Sequence, residues 1–170
     1  MHRREILRKF IHFLGLIYIP AYDILGRENM IVVVGAITIF AMFIEFLRHR
    51  YDVLPEFLLR GYEKGKIGAY IYFGIAASII TALLPRDACF VGIVVGSLGD
   101  GTSGILKRLL NLSKHVASFG MFSSSAIALY ILNLLSPPAL IAIVAGVLAE
   151  RLEKIGKFYI NDNLTVPLTS

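Results

Sequence analysis

Long apolar blocks alternate with short polar clusters along this chain, and the block lengths suit a lipid bilayer better than the core of a soluble domain. Crossing the hydrocarbon takes roughly 17–25 apolar residues of helix. Six stretches reach or approach that length: Lys9–Leu25, Met30–Leu47, Ile67–Leu84, Ala88–Leu106, Ala117–Leu135 and Pro138–Leu152, with a tail to Ser170. Residues that break helices fall between them, at Gly26, Pro85 and Ser136-Pro137-Pro138. The pattern predicts an all-α, polytopic integral membrane protein of about six transmembrane helices, forming one domain over residues 1–170.

Composition agrees. Apolar residues make up 56% of the chain and the mean hydropathy is +0.72, so no soluble domain of useful size is left over. The single cysteine, Cys89, has no disulfide partner and reads as a small packing residue. Met1-His2-Arg3-Arg4 is basic as in a signal peptide, but the first apolar block runs into Pro20-Ala21-Tyr22-Asp23 without a small-x-small cleavage site, which predicts a retained first span.

Charge sets the orientation. With the N-terminus inside, fifteen of the seventeen basic residues fall on the cytoplasmic side and only Arg27 and Arg86 outside. Both termini are then cytoplasmic, in a multi-pass protein of the cell membrane. No nucleic-acid partner is expected for this chain of net charge +5. The same topology gathers the polar residues of interest on one face: Arg8, Lys9 and His12; Glu45 and Arg48; Asp100 and Lys107; Glu150; Asp162 and Asn163.

Within that face Asp100 stands out, in Gly99-Asp100-Gly101-Thr102-Ser103-Gly104 directly after an apolar run. A carboxylate at membrane depth costs about 2.5–3.5 kcal/mol, which favours a residue that binds something. The surrounding glycines predict an open backbone suited to phosphate or metal-phosphate contact. Arg8 and His12 are four apart and Glu45 and Arg48 three apart, so each pair shares a helix face.

Arg8-Lys9-x-x-His12, Glu45-x-x-Arg48, Gly68-Ala69-Tyr70, Gly99-Asp100 with Lys107, and the terminal Asp162-Asn163-Leu164-Thr165-Val166-Pro167 occur in this order over nearly the whole chain. Together they resemble the polyprenol kinase family, which includes dolichol, phytol and farnesol kinases and CTP-dependent diacylglycerol kinases. The resemblance implies phosphorylation of a membrane-embedded lipid alcohol, with CTP or ATP as donor and Mg²⁺ or another divalent cation, at the cytoplasmic face. It implies catalytic roles for Asp100, His12 and Asp162, with His12 or Asp162 taking the hydroxyl proton. Arg8, Lys9, Arg48, Gly99, Lys107 and Asn163 would hold the nucleotide and its phosphates, and Asp100, Glu150 and Asp162 the metal. The family's Lys-Ser/Thr-x-Glu-Gly at the fifth span aligns here with Val116 and Phe119 in place of its charges, with Lys114, His115 and Ser118 nearby. For Asp162 and Asn163 to take part, the tail must fold back along the cytoplasmic face. Alternation of Leu164, Val166 and Leu168 with polar residues predicts an interfacial segment.

Two other readings compete. A nucleotidyltransferase making CDP-activated lipid also uses a Gly-Asp segment, but its long C-terminal signature is missing from this sequence. A transporter or non-catalytic membrane subunit would explain intramembrane polar residues, yet a transporter places them near the midplane, often with repeat symmetry. Here they gather toward one interface and no repeat is visible.

Overall fold

The first two apolar blocks form one helical stretch, Phe10–Tyr51, tightened into a 3-10 turn at Gly15–Ile17 and broken at a single residue, Gly26 (φ 74°, ψ 168°). That backbone conformation is open to glycine and strained for any residue with a Cβ. Gly26 therefore divides the stretch into two arms, α1 (10–25) and α2 (27–51). The contacts of α3 (Ala69–Leu83) show that the arms run in opposite directions. Arg27 donates to the Ala82 carbonyl at the far end of α3 (2.8 Å), while Glu45 accepts from the Gly68 N–H at its start (2.8 Å), so α2 is antiparallel to α3. By contrast α1 runs parallel to it, with Gly15 beside Phe73 and Tyr18 Oη 2.9 Å from Thr81 Oγ1. This computed structural model describes residues 10–51, 67–152, 154–155, 158–159 and 161–170.

Among the described residues the other elements are helices and one short antiparallel pair. Next come α4 (Arg86–Arg108), α5 (Lys114–Ile131) and α6 (Pro137–Arg151). Ser113 and Ser136 cap α5 and α6 by accepting from Val116 N–H and Ala139 N–H, and two prolines open α6, where missing amide donors cost nothing. Strands β1 (Lys154–Ile155) and β2 (Phe158–Tyr159) then lead to a last helix, α7 (Asp162–Thr169). Phe10–Tyr51 and Arg86–Arg108 are long and apolar enough to cross a membrane.

The centre is α4. Its residues Cys89 to Val95 are all buried, and Phe90 meets Tyr18 and Tyr22 edge-on at centroid distances of 6.3 and 5.5 Å. The end of the bundle away from His12 is tied by Arg86, which donates to Asp23 Oδ1 (2.6 and 2.8 Å) and lies over the Phe90 ring. Around this core the outward faces are apolar: Phe40, Phe43 and Phe46 on α2, Ile127, Tyr130 and Ile131 on α5, and Ile141 and Leu148 on α6 are all exposed.

The tail departs from expectation. It is not an interfacial segment: α7 inserts among α3, α4 and α6. A Cβ at Gly96 would come within 2.6 Å of Pro167 Cγ, and one at Gly92 within 2.8 Å of the Pro167 carbonyl, so two glycines one turn apart make the slot that seats Pro167. Val166 is completely buried. Ser170 lines a cavity of about 320 Å³ with Asp87, Asn133 and Pro138, toward the end of the bundle opposite His12. The reason is periodicity: Asn163, Val166 and Pro167, the buried positions, are spaced as one face of a helix, not as alternate residues of a strand.

Candidate functional site

Polar side chains collect where α1 begins and α2, α4 and α6 end, and two separate groups form there. In the first, Arg48 grips Glu45 with both arms of its guanidinium, Nε to Oε2 at 3.0 Å and Nη2 to Oε1 at 2.6 Å. The same carboxylate accepts from Gly68 N–H and from the Tyr70 hydroxyl, so the Glu45-x-x-Arg48 and Gly68-Ala69-Tyr70 segments, distant in sequence, meet in one knot. Glu45 and Arg48 are each only 6% exposed. A buried carboxylate with this many donors is well satisfied, and the positive charge of Arg48 is neutralised where it stands.

The second group lies on one face of α4. Asp100, Ser103 and Lys107 follow at i, i+3 and i+7 and therefore line up along the helix. At the top of this row His12 of α1 brings Nδ1 to 3.6 Å from Asp100 Oδ2, an ion pair when the imidazole is protonated. Below it, Glu150 of α6 accepts from Ser103 Oγ (3.1 Å) and from Lys107 Nζ, both through Oε1. Its other oxygen, Oε2, is buried without a hydrogen-bond partner.

The approach of α1 that joins His12 to Asp100 has a local cause. A π-helical turn at Val95–Gly99 immediately precedes Asp100. An inserted residue rotates the remainder of the helix by roughly 100° about its axis, and such turns recur at functional sites. Gly101 packs against Phe13, where a Cβ would lie 2.7 Å from the ring, and Gly15 lies against Ser97, so the α1–α4 interface is close on both sides of the pair.

This corrects the expectation of an open glycine loop. The segment from Gly99 to Gly104 is helical, and the Asp100 N–H is taken by the carbonyls of Val95 and Ser97. Its glycines serve contact between helices: a Cβ at Gly99 would fall 2.6 Å from Ser125 Oγ on α5. Lys107 and Glu150, expected to act on phosphate and metal, form an ion pair with each other. Arg8 and Lys9 lie outside the described residues. Asp162 and Asn163 open α7, with Asn163 Nδ2 donating to Asp162 Oδ1 (3.0 Å). Since Pro167 sits beside Gly92 and Gly96, the five residues back to Asp162 rise roughly 7 Å toward the end of α4 that holds Asp100.

Two participants have partners that the sequence does not reveal. Ser103 is readable from its i+3 spacing to Asp100, but nothing in the sequence pairs it with Glu150. Arg151, which the sequence presents only as a topological charge, donates from Nε to Ser118 Oγ (2.9 Å) and from Nη2 to His115 Nδ1 (3.4 Å), joining α6 to the first turns of α5.

Among the described residues no group of three His, Cys, Asp or Glu side chains is placed to hold a metal by itself. The arrangement suits a cation that arrives with phosphate ligands and takes one or two carboxylates, as Mg²⁺ does. Comparison with protein-family models, with curated proteins and with solved structures finds no match to this chain.

Proposed function

We propose that the protein crosses the cell membrane six times and transfers a phosphoryl group from CTP or ATP to a membrane-embedded lipid alcohol at its cytoplasmic side. The observation that carries this reading is the pairing of His12 with Asp100 at the polar end of an apolar body. Exposed aliphatic and aromatic side chains on α2, α5 and α6 suit contact with lipid tails, so an alcohol dissolved in the bilayer would present its hydroxyl at the level of this pair.

Phosphoryl transfer is mostly positioning and charge neutralisation, and the residues available match that need. His12 accepts the hydroxyl proton and Asp100 orients the imidazole and stabilises its charged form. When a divalent cation is bound with the nucleotide, it neutralises developing charge on the phosphates, and Asp100, Glu150 and Asp162 are the carboxylates that would hold it. The Glu45–Arg48–Tyr70 knot acts from a distance by fixing where α2 meets α3. The ordered resemblance to polyprenol kinases over nearly the whole chain supports the same assignment.

The test is purified protein in detergent with Mg²⁺, labelled CTP or ATP, and a panel of prenols and diacylglycerol. Transfer of the terminal phosphate alone is expected. Transfer of a nucleoside monophosphate would identify a nucleotidyltransferase instead, and no transfer with any pair would point to a non-catalytic membrane protein.

A further inference from the structure

Resting on the phosphotransferase reading, we infer that Arg151, held by Ser118 and His115, is the cation that grips the phosphates of the donor, at a subsite between α5 and α6. The argument begins with charge. Among the described residues to which the resemblance gives a phosphate role, Arg48 is paired with Glu45 and Lys107 with Glu150. Arg151 is positioned by two hydrogen bonds, and neither partner is a carboxylate: one is a serine hydroxyl and the other an imidazole nitrogen. Its positive charge is therefore fixed in place and uncompensated, and the side chain is exposed. A fork-shaped guanidinium in that condition is suited to two oxygens of one phosphate.

The tautomer of His115 adds a donor. Arginine can only donate, so His115 Nδ1 accepts from it and the ring proton sits on Nε2. The Nε2–H is then available to a second phosphate oxygen. Both residues stand in or beside the first turn of α5, where the helix dipole favours an anion.

Position completes the case. Arg151 comes directly after Glu150, which is bonded to Ser103, one turn along α4 from Asp100. A polyphosphate can run from the His12–Asp100 pair past the Glu150 carboxylate to Arg151. Ser118 is a positioning residue, and its hydroxyl is where the guanidinium is anchored.

The probe is Mg²⁺-tripolyphosphate titrated calorimetrically into the detergent-solubilised full chain, with lipid phosphorylation measured in parallel. Arg151→Ala is expected to weaken binding about ten- to hundredfold, the equivalent of one lost charge-assisted hydrogen bond, and to raise KM for the nucleotide more than it lowers kcat. Arg151→Lys should recover part of the loss, Ser118→Ala should show a smaller loss, and the remote Arg50→Ala none. If Arg151→Ala does not fold, as judged by its melting profile, the Ser118→Ala and His115→Ala losses decide. Unchanged affinity in the Arg151, Ser118 and His115 variants overturns the inference even when wild-type protein phosphorylates lipid, and so does wild-type protein that fails to bind tripolyphosphate. Binding that depends on Arg151 in a protein that transfers nothing would uphold the subsite and sink the kinase reading alone.

Discussion

Lys107 and Glu150 meet across the α4–α6 interface with the Glu150 side chain only 5% exposed and that of Lys107 26% exposed, and the pair uses one carboxylate oxygen while leaving the other buried without a partner. A carboxylate this far from water depends on its one charged partner.

Removing one member of the pair should therefore cost more than removing both. Lys107→Met leaves a buried carboxylate with only the Ser103 hydroxyl, a loss of about 1–3 kcal/mol. Glu150→Gln keeps the shape and the acceptor from Ser103 and is expected to be milder. The double variant should recover most of the stability lost in Lys107→Met, because no uncompensated charge remains. Thermal unfolding in detergent measures all three, and strictly additive losses would show that the two side chains are not coupled.

Asp100→Asn should abolish phosphoryl transfer while the protein stays folded. Asparagine preserves the volume beside His12 but removes the charge that orients the imidazole. A loss of roughly 10²-fold or more is expected from the disabled acid–base pair. Asp100 sits inside a helix, not at its cap, so a purely structural role would appear as a change in stability. Wild-type turnover with an unchanged melting temperature would remove Asp100 from the site.

The topology has its own check. Reporters inserted in residues 60–66 and in the α4–α5 turn at 110–113 should both give an inside signal, and one in the α5–α6 turn at 133–136 an outside signal. The prediction rests on the distribution of basic residues together with the alternating directions of α3 to α6. A fusion after Ser170 is a poorer reporter than the tail's sequence suggests, because that residue lies within the bundle. If 60–66 and 110–113 report opposite sides, the six-span arrangement is wrong, and the shared polar face goes with it.

The helices are legible in the sequence because lipid-length apolar runs and their glycine and proline breaks are local signals. The reversal at Gly26 is legible for the same reason, although the structure confines it to one residue. Partnerships are not. Gly68-Ala69-Tyr70 joins Glu45 only because the chain returns along α2 into α3, and His12 meets Asp100 only because α1 packs antiparallel to α4; neither fact is written in spacing. Residues Leu164, Val166 and Leu168 alternate as a strand would, so the pattern suggests a surface segment where an eight-residue, partly buried helix forms. Arg151 is hidden by its neighbours: beside Glu150 at a helix end, it reads as one more topological charge.

The slot for Pro167 gives the most discriminating prediction about the tail. At Gly96 a Cβ would stand 2.6 Å from the Pro167 ring, and at Gly92 2.8 Å from its carbonyl oxygen, whereas at Gly35 on α2 nothing lies within 4 Å. Alanine at any of the three raises helix propensity by about 1 kcal/mol, so the sign of the net effect isolates the packing. Gly35→Ala should be neutral or stabilising. Gly96→Ala should lose about 1–3 kcal/mol, the usual cost of overpacking, because the proline ring has little freedom to move. Gly92→Ala should behave similarly, since backbone is what it meets. If Asp162 and Asn163 contribute to the site, both substitutions should also depress phosphoryl transfer, and deleting residues 161–170 should abolish it while the remaining helices still insert in the membrane. Melting curves and transfer rates for the three glycine variants and the deletion separate the cases. Gly96→Ala as stable as Gly35→Ala would mean that α7 does not occupy this slot, and a fully active deletion would remove the tail from the mechanism.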